Sequence, residues 1–141
     1  MRGFDPEEVA ELYGATEIIR LRSGDFLFRE GDEGDALYLV KSGSVRIISG
    51  STVYETVNSG GVVGEMALVD GEMPRSASVI AATPVELIRI DKPKFLELVA
   101  SAPDFALTVM GVMARRLRIM NWRYRPRPGL SGIPCAAGRF N

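Results

Sequence analysis

Residues 64–79 read GEMALVDGEMPRSASV, a mostly small and apolar stretch that carries Glu65 near its start and Arg75 in its middle. Its second half continues as RSASVIAA, which is typical of a packed strand. A positive charge that is buried without a partner is strongly unfavourable. Arg75 is therefore expected either to point to water or to hold an anionic group.

Short candidate strands separated by glycine-rich turns lie on both sides of this stretch. The candidate strands before it read EIIRLR, DFLFRE, ALYLVKSG, SVRIIS and TVYETV. SASVIAA overlaps its end, and VELIRID follows it. Strands of this length and spacing predict an antiparallel β-roll or jelly roll. The fold class is therefore mainly β, with flanking helices.

Helical patterns flank the strands. DPEEVAELYG at 5–14 predicts a short N-terminal helix, and two C-terminal helices are predicted after the last strand. Asp91 caps the first of these, and the second covers about 103–122. The apolar stripe of the second helix contains Arg116, which places a cation on its inner face.

The charge of the chain divides sharply along its length. Residues 1–104 carry a net charge of −8, and residues 105–141 carry seven arginines and no acid, giving +7 and a total of −1. We predict one domain over 1–122 and a flexible, basic, Pro/Gly-rich tail over 123–141. The arginines either contact the acidic body or form a surface for nucleic acid, a membrane surface or a protein partner.

Several functional classes are disfavoured by composition. The chain has no histidine and one cysteine, Cys135, so histidine-based catalysis, histidine metal sites and an internal disulfide are excluded. We expect no enzyme activity, no metal and no membrane span, and a cytoplasmic location, which suits the single cysteine. The Pro/Gly-rich end is too short and irregular for a helix-turn-helix.

The charged residues of 64–79 form a candidate anion site. A short helix from Glu65 would direct backbone N–H groups at one point, and Gly64 would allow close approach. Arg75 could bind phosphate oxygens bidentately with help from the Ser76 hydroxyl. Glu65 could accept from a ribose hydroxyl beside that phosphate. The alternative is a structural salt bridge between Glu65 and Arg75.

VGEMALVDGEMPRSASVIA resembles the phosphate-binding cassette of cyclic nucleotide-binding domains, the family of catabolite activator-like and cyclic nucleotide-gated channel-like sensory domains. The matching positions are Gly64, Glu65, Ala67, Leu68, Arg75, Ser76, Ala77 and Val79. Upstream, FREGDEGDALYLVKSGSVRI is similar to the family's glycine-punctuated strands. The resemblance covers about residues 4–122.

The resemblance implies a role for each matched position. Ligand-binding residues would be Val63, Gly64, Glu65, Met66, Ala67, Leu68, Arg75, Ser76 and Ala77. Glu65 would accept from the ribose 2′-OH, and Arg75 would pair with the cyclic phosphate. Val57 and Val63 would be apolar walls near the base. Arg116 would be either a lid that stacks on the base or a stem packed on the core with its head in water.

The resemblance also implies a function. The chain would be a cyclic nucleotide sensor that couples binding to movement of its last helix, with cyclic AMP favoured over cyclic GMP because Ser76 lacks the methyl group of threonine. Its partners would be the nucleotide, an effector domain or protein, and a second copy of the chain through the C-terminal helix.

Overall fold

The computed structural model describes residues 17–69 and 73–123. The predicted N-terminal helix at 5–14 and the part of the predicted tail beyond 123 lie outside these residues. Within the described part of the chain, no helix is long and apolar enough to cross a membrane.

In the described part of the chain, eight antiparallel strands form two four-stranded sheets, which confirms the predicted β-roll. The strands are β1 (Ile18–Leu21), β2 (Phe26–Phe28), β3 (Ala36–Ser42), β4 (Val45–Ser49), β5 (Thr52–Val57), β6 (Val62–Val63), β7 (Ser78–Ala81) and β8 (Val85–Asp91). The first sheet has the order β1-β8-β3-β6, and the second has the order β2-β7-β4-β5. Neighbouring strands are therefore often distant in sequence.

Among residues 17–69 and 73–123, three helices accompany the sheets: α1 (Met66–Val69), α2 (Lys92–Ser101) and α3 (Pro103–Arg123). Asp91 caps α2 as predicted, because its side chain accepts from the Lys94 N–H at 3.0 Å. α1 is a single short turn that begins one residue later than predicted. It follows β6 directly and precedes the loop that leads to β7.

The core has two layers, and alternate residues of β3 enter different ones. Leu37 and Leu39 pack with Phe105 and Val109 of α3, between the first sheet and the helices. Val40 packs instead with residues of both sheets, among them Val45 of β4. The helices therefore rest on one face of the first sheet, and α3 extends from there toward the second sheet.

Candidate functional site

A cavity of about 500 Å³ lies between the second sheet, the β6–α1 segment and α3. Apolar side chains form much of its wall: Phe28, Ile47, Tyr54, Val79, Met113 and Leu117. Charged groups line the rest, namely Glu30, Glu55, Glu65, Arg75 and Arg116. A mostly apolar cavity with a few convergent charges is suited to a small polar ligand.

Arg75 is the cationic centre of this cavity and is only 8 % exposed. Its Nη1 donates to the carbonyl oxygen of Gly64 at 3.1 Å, and its Nη2 donates to the carbonyl oxygen of Ala36 at 3.0 Å. The guanidinium carbon lies 4.0 Å from the centroid of the Phe28 ring. Backbone carbonyls and an aromatic face thus fix the position of the guanidinium.

Among the described residues, the Arg75 guanidinium donates to backbone carbonyls and not to a carboxylate, and Glu65 pairs with Arg116 instead. Its Nε is buried and has no hydrogen-bond partner among those residues. Burial lowers the pKa of Arg75, and Tyr38, Asp35, Asp32 and Glu65 act against that shift. A buried cation with an unused donor is a site that favours an anion.

Two glycines make room for this guanidinium. Gly64 has φ +77°, and a Cβ at that position would lie 2.8 Å from Nη1 of Arg75. Glycine is therefore favoured at position 64 for two reasons. It adopts the positive φ without strain, and it has no side chain that would block the approach of Arg75. Gly34, in the loop before β3, lies against the same guanidinium. The sequence analysis did not assign this contact to Gly34, because 41 positions separate it from Arg75.

Glu65 is 4 % exposed and pairs with Arg116, not with Arg75. Arg116 Nη1 donates to Glu65 Oε1 at 2.7 Å. The same guanidinium donates from Nε to Glu55 Oε1 at 2.8 Å and from Nη2 to Glu55 Oε2 at 3.3 Å. The alternative of a salt bridge between Glu65 and Arg75 is therefore wrong.

The position of Arg116 excludes one of its two sequence interpretations, the head in water, while the stacking of Arg116 on a base stays a prediction. Its head is not in water, because Glu55 and Glu65 hold it, and it is committed to these carboxylates at the cavity wall. Burial acts to lower the pKa of Arg116, but the hydrogen bonds and charges of Glu55 and Glu65 outweigh burial and raise it. Arg115 also donates to Glu55, at 3.0 Å, so two of the C-terminal arginines contact the acidic body.

The structure brings most of the predicted site residues together around the cavity. Those that line it are Gly64, Glu65, Met66, Ala67, Arg75, Ser76, Ala77 and Arg116. Val57, Val63 and Leu68 do not line it, contrary to expectation. Val57 and Val63 are buried in the core between the sheets, and Leu68 packs against the core beneath α3.

The walls of the cavity therefore differ from the prediction. Glu55 and Val57 lie two residues apart, on the same face of β5, where Glu55 reaches the cavity and Val57 reaches the core. The sequence analysis did not identify Glu55, Tyr54 and Ile47 as lining residues.

Among the described residues, no group of three His, Cys, Asp or Glu side chains could hold a metal ion.

The family model of the cyclic nucleotide-binding domain matches residues 18–102. This chain belongs to the cyclic nucleotide-binding domain family. The match lies inside the predicted domain of 1–122, and the domain's antiparallel roll is the fold described above. Cyclic nucleotide-binding domains are regulatory modules and not catalytic ones.

Individual relatives agree with this membership. The cyclic AMP receptor protein of Thermus thermophilus is 35 % identical over 121 residues, which cover 82 % of this chain and 56 % of that protein. The crystal structure of the catabolite activator protein of Thermus thermophilus superimposes with a TM-score of 0.69 at 32 % identity, over 86 % of this chain and 59 % of that one. A cyclic AMP-dependent protein kinase regulatory subunit of Emericella nidulans is 38 % identical over 96 residues, covering 66 % of this chain and 23 % of that protein. This cyclic nucleotide-binding domain thus spans less than two thirds of these relatives.

Proposed function

We propose that the chain is a cyclic nucleotide sensor that favours cyclic AMP over cyclic GMP. The observation that carries this proposal is the buried guanidinium of Arg75, which lines the cavity and has no carboxylate partner among the described residues. The cyclic phosphate would supply the missing anion. The Ser76 hydroxyl and the Ala77 backbone, which also line the cavity, would complete its surroundings.

Glu65 would recognise the ribose. A carboxylate accepts at about four lone-pair positions, and Arg116 uses one of them on Oε1. The remaining capacity suits a ribose 2′-OH, which donates a hydrogen bond. Glu65 and Arg75 would then bind neighbouring parts of one ligand, which explains two opposite charges in one cavity.

The base would lie against the apolar wall formed by Tyr54, Ile47 and Met113. Two observations support adenine. Ser76 lacks the methyl group of the threonine that accompanies cyclic GMP in the family, and two of the relatives above carry cyclic AMP in their names. The preference for cyclic AMP is thus expected to be modest.

Helix α3 would transmit the binding event. Met113, Arg116 and Leu117 of this helix line the cavity, so a ligand there contacts α3 directly. The ligand would also share Glu65 with Arg116. A ligand changes a conformational equilibrium only when it binds one state better than the other. Because the ligand would contact α3 and share Glu65 with Arg116, its affinity would depend on the position of α3.

The output would pass to a partner. An exposed apolar stripe on α3 contains Leu107, Met110, Ala114 and Leu117, at alternating spacings of three and four residues. Leu107, Met110 and Leu117 are 62 %, 55 % and 57 % exposed. This spacing is that of a two-stranded coiled coil, so we propose that α3 of a second copy of the chain packs on this stripe.

The proposed downstream partner is an effector domain or an effector protein. The proposed location is the cytoplasm.

Calorimetric titration of the purified chain with cyclic AMP, cyclic GMP and 5′-AMP tests the proposal. We expect saturable binding of one cyclic AMP per chain, weaker binding of cyclic GMP, and much weaker binding of 5′-AMP, whose phosphate is a terminal dianion. Equal binding of 5′-AMP and cyclic AMP would show that the cavity does not recognise the cyclic phosphate.

A further inference from the structure

Glu55 accepts three hydrogen bonds from arginine side chains of α3. Both of its carboxylate oxygens accept from Arg116, at 2.8 Å and 3.3 Å, and Oε2 also accepts from Arg115 at 3.0 Å. The third nitrogen of Arg116 donates to Glu65. Arg116 therefore bridges two carboxylates, one on β5 and one immediately before α1.

We propose that Glu55 is a positioning residue for ribose recognition, acting through Arg116 on Glu65. This inference rests on the proposed function. Glu55 takes two nitrogens of the guanidinium and leaves only Nη1 for Glu65. Glu65 is thereby fixed by a single bond on Oε1, and the rest of its carboxylate stays available to the 2′-OH.

Burial makes this arrangement sensitive to the charge of Glu55. The side chains of Glu55, Glu65 and Arg116 are all largely buried, and a buried arginine claims whatever acceptors remain near it. Without the charge at position 55, Glu65 becomes the only carboxylate on Arg116. A guanidinium binds a carboxylate best through two parallel hydrogen bonds, so Arg116 would then occupy both oxygens of Glu65.

The substitution Glu55→Gln tests this with little change of shape. The amide oxygen can still accept from Nε of Arg116, but the amide NH₂ group offers Nη2 no acceptor. Arg116 should then turn toward Glu65 and compete with the ribose. The loss is expected only for ligands that carry a 2′-OH.

The experiment compares cyclic AMP with 2′-deoxy cyclic AMP by calorimetry. The wild-type chain should bind cyclic AMP roughly tenfold or more tightly than the deoxy ligand, as expected for one hydrogen bond to a charged acceptor. In Glu55→Gln this ratio should fall to within about threefold. Glu55→Asp, which keeps the charge on a shorter side chain, should give an intermediate ratio and serves if the glutamine variant does not fold.

Arg115→Ala is the matched control. It removes another donor to the same Glu55 carboxylate, on a half-exposed side chain, and leaves the contacts of Arg116 in place. Its ratio should stay at the wild-type value. The inference is overturned if Glu55→Gln and Glu55→Asp both keep the wild-type ratio of affinities for cyclic AMP and 2′-deoxy cyclic AMP. It is also overturned if these variants bind both ligands more weakly by an equal factor, or if the wild-type chain binds the two ligands equally. If the wild-type chain binds neither ligand, the proposed function itself fails.

Discussion

Gly34 lies directly against the guanidinium of Arg75, so that a methyl group at position 34 would overlap Nε and Cζ of that side chain. The two residues are far apart in sequence and meet because the loop before β3 is hydrogen-bonded to the segment that precedes β7. The backbone N–H of Arg75 also donates to the carbonyl oxygen of Asp32, at 2.7 Å. The position of the cation thus depends on an empty space in a neighbouring loop.

Gly34→Ala is therefore expected to weaken binding of cyclic AMP while leaving the fold intact. The nearest atoms to the added methyl group belong to the Arg75 side chain and not to the backbone, so the guanidinium is displaced and loses its hydrogen bonds to the carbonyl oxygens of Gly64 and Ala36. Loss of charge-assisted contacts to the phosphate predicts about tenfold weaker binding or more. Calorimetry measures the affinity, and thermal unfolding measures stability.

Gly61→Ala is the control for this prediction. Gly61 also has no positive φ, and a Cβ there would crowd the side chain of Val57, in the core and away from Arg75. This variant should lose stability with no specific loss of affinity. If Gly34→Ala and Gly61→Ala weaken binding equally, the position of Arg75 is not what Gly34 controls.

Binding should be nearly independent of pH around neutrality. The chain has no histidine, the side chain whose unperturbed pKa lies in this range. Glu55 and Glu65 raise the pKa of Arg116, so this ion-pair network keeps its stabilising effect until the solution is strongly alkaline. We expect titrations at about pH 6 and pH 8 to agree within twofold, whereas a tenfold change would reveal a titrating group in the site.

Met110→Lys should weaken self-association through the stripe of α3. Met110 is 55 % exposed at the centre of that stripe, and two lysines facing each other across a helix pair repel. Sedimentation of the full chain should show a shift from dimer toward monomer. Leu96→Lys is the control, because Leu96 is similarly exposed but lies on α2. A wild-type chain that is monomeric at all concentrations would exclude the dimer.

The strand pattern, the Asp91 cap and most of the cassette were predictable from sequence. They depend on local signals, namely turn glycines, alternation along strands and the short spacing between Gly64 and Arg75. The family match and the observed sheets confirm the fold class, while the ligand contacts of individual cassette residues stay predictions.

The contacts of Arg116 with Glu55 and Glu65 were not predictable from such local signals. Arg116 lies 61 positions from Glu55 and 51 from Glu65, and the sequence carries no local sign of these contacts. Alternation along β5 shows that Glu55 and Val57 share a face, but not that one reaches the cavity and the other the core. That distinction depends on how α3 crosses the second sheet.

Calorimetric titration of Arg75→Ala with cyclic AMP tests the central claim most directly. Removing the guanidinium should cost about 2–5 kcal/mol of binding free energy, which is a loss of affinity of roughly thirtyfold or more. Arg20→Ala, which removes an exposed arginine paired with Glu86 on the first sheet, should bind like the wild type. An Arg75→Ala variant that is folded and binds cyclic AMP within about twofold of the wild type would contradict the account.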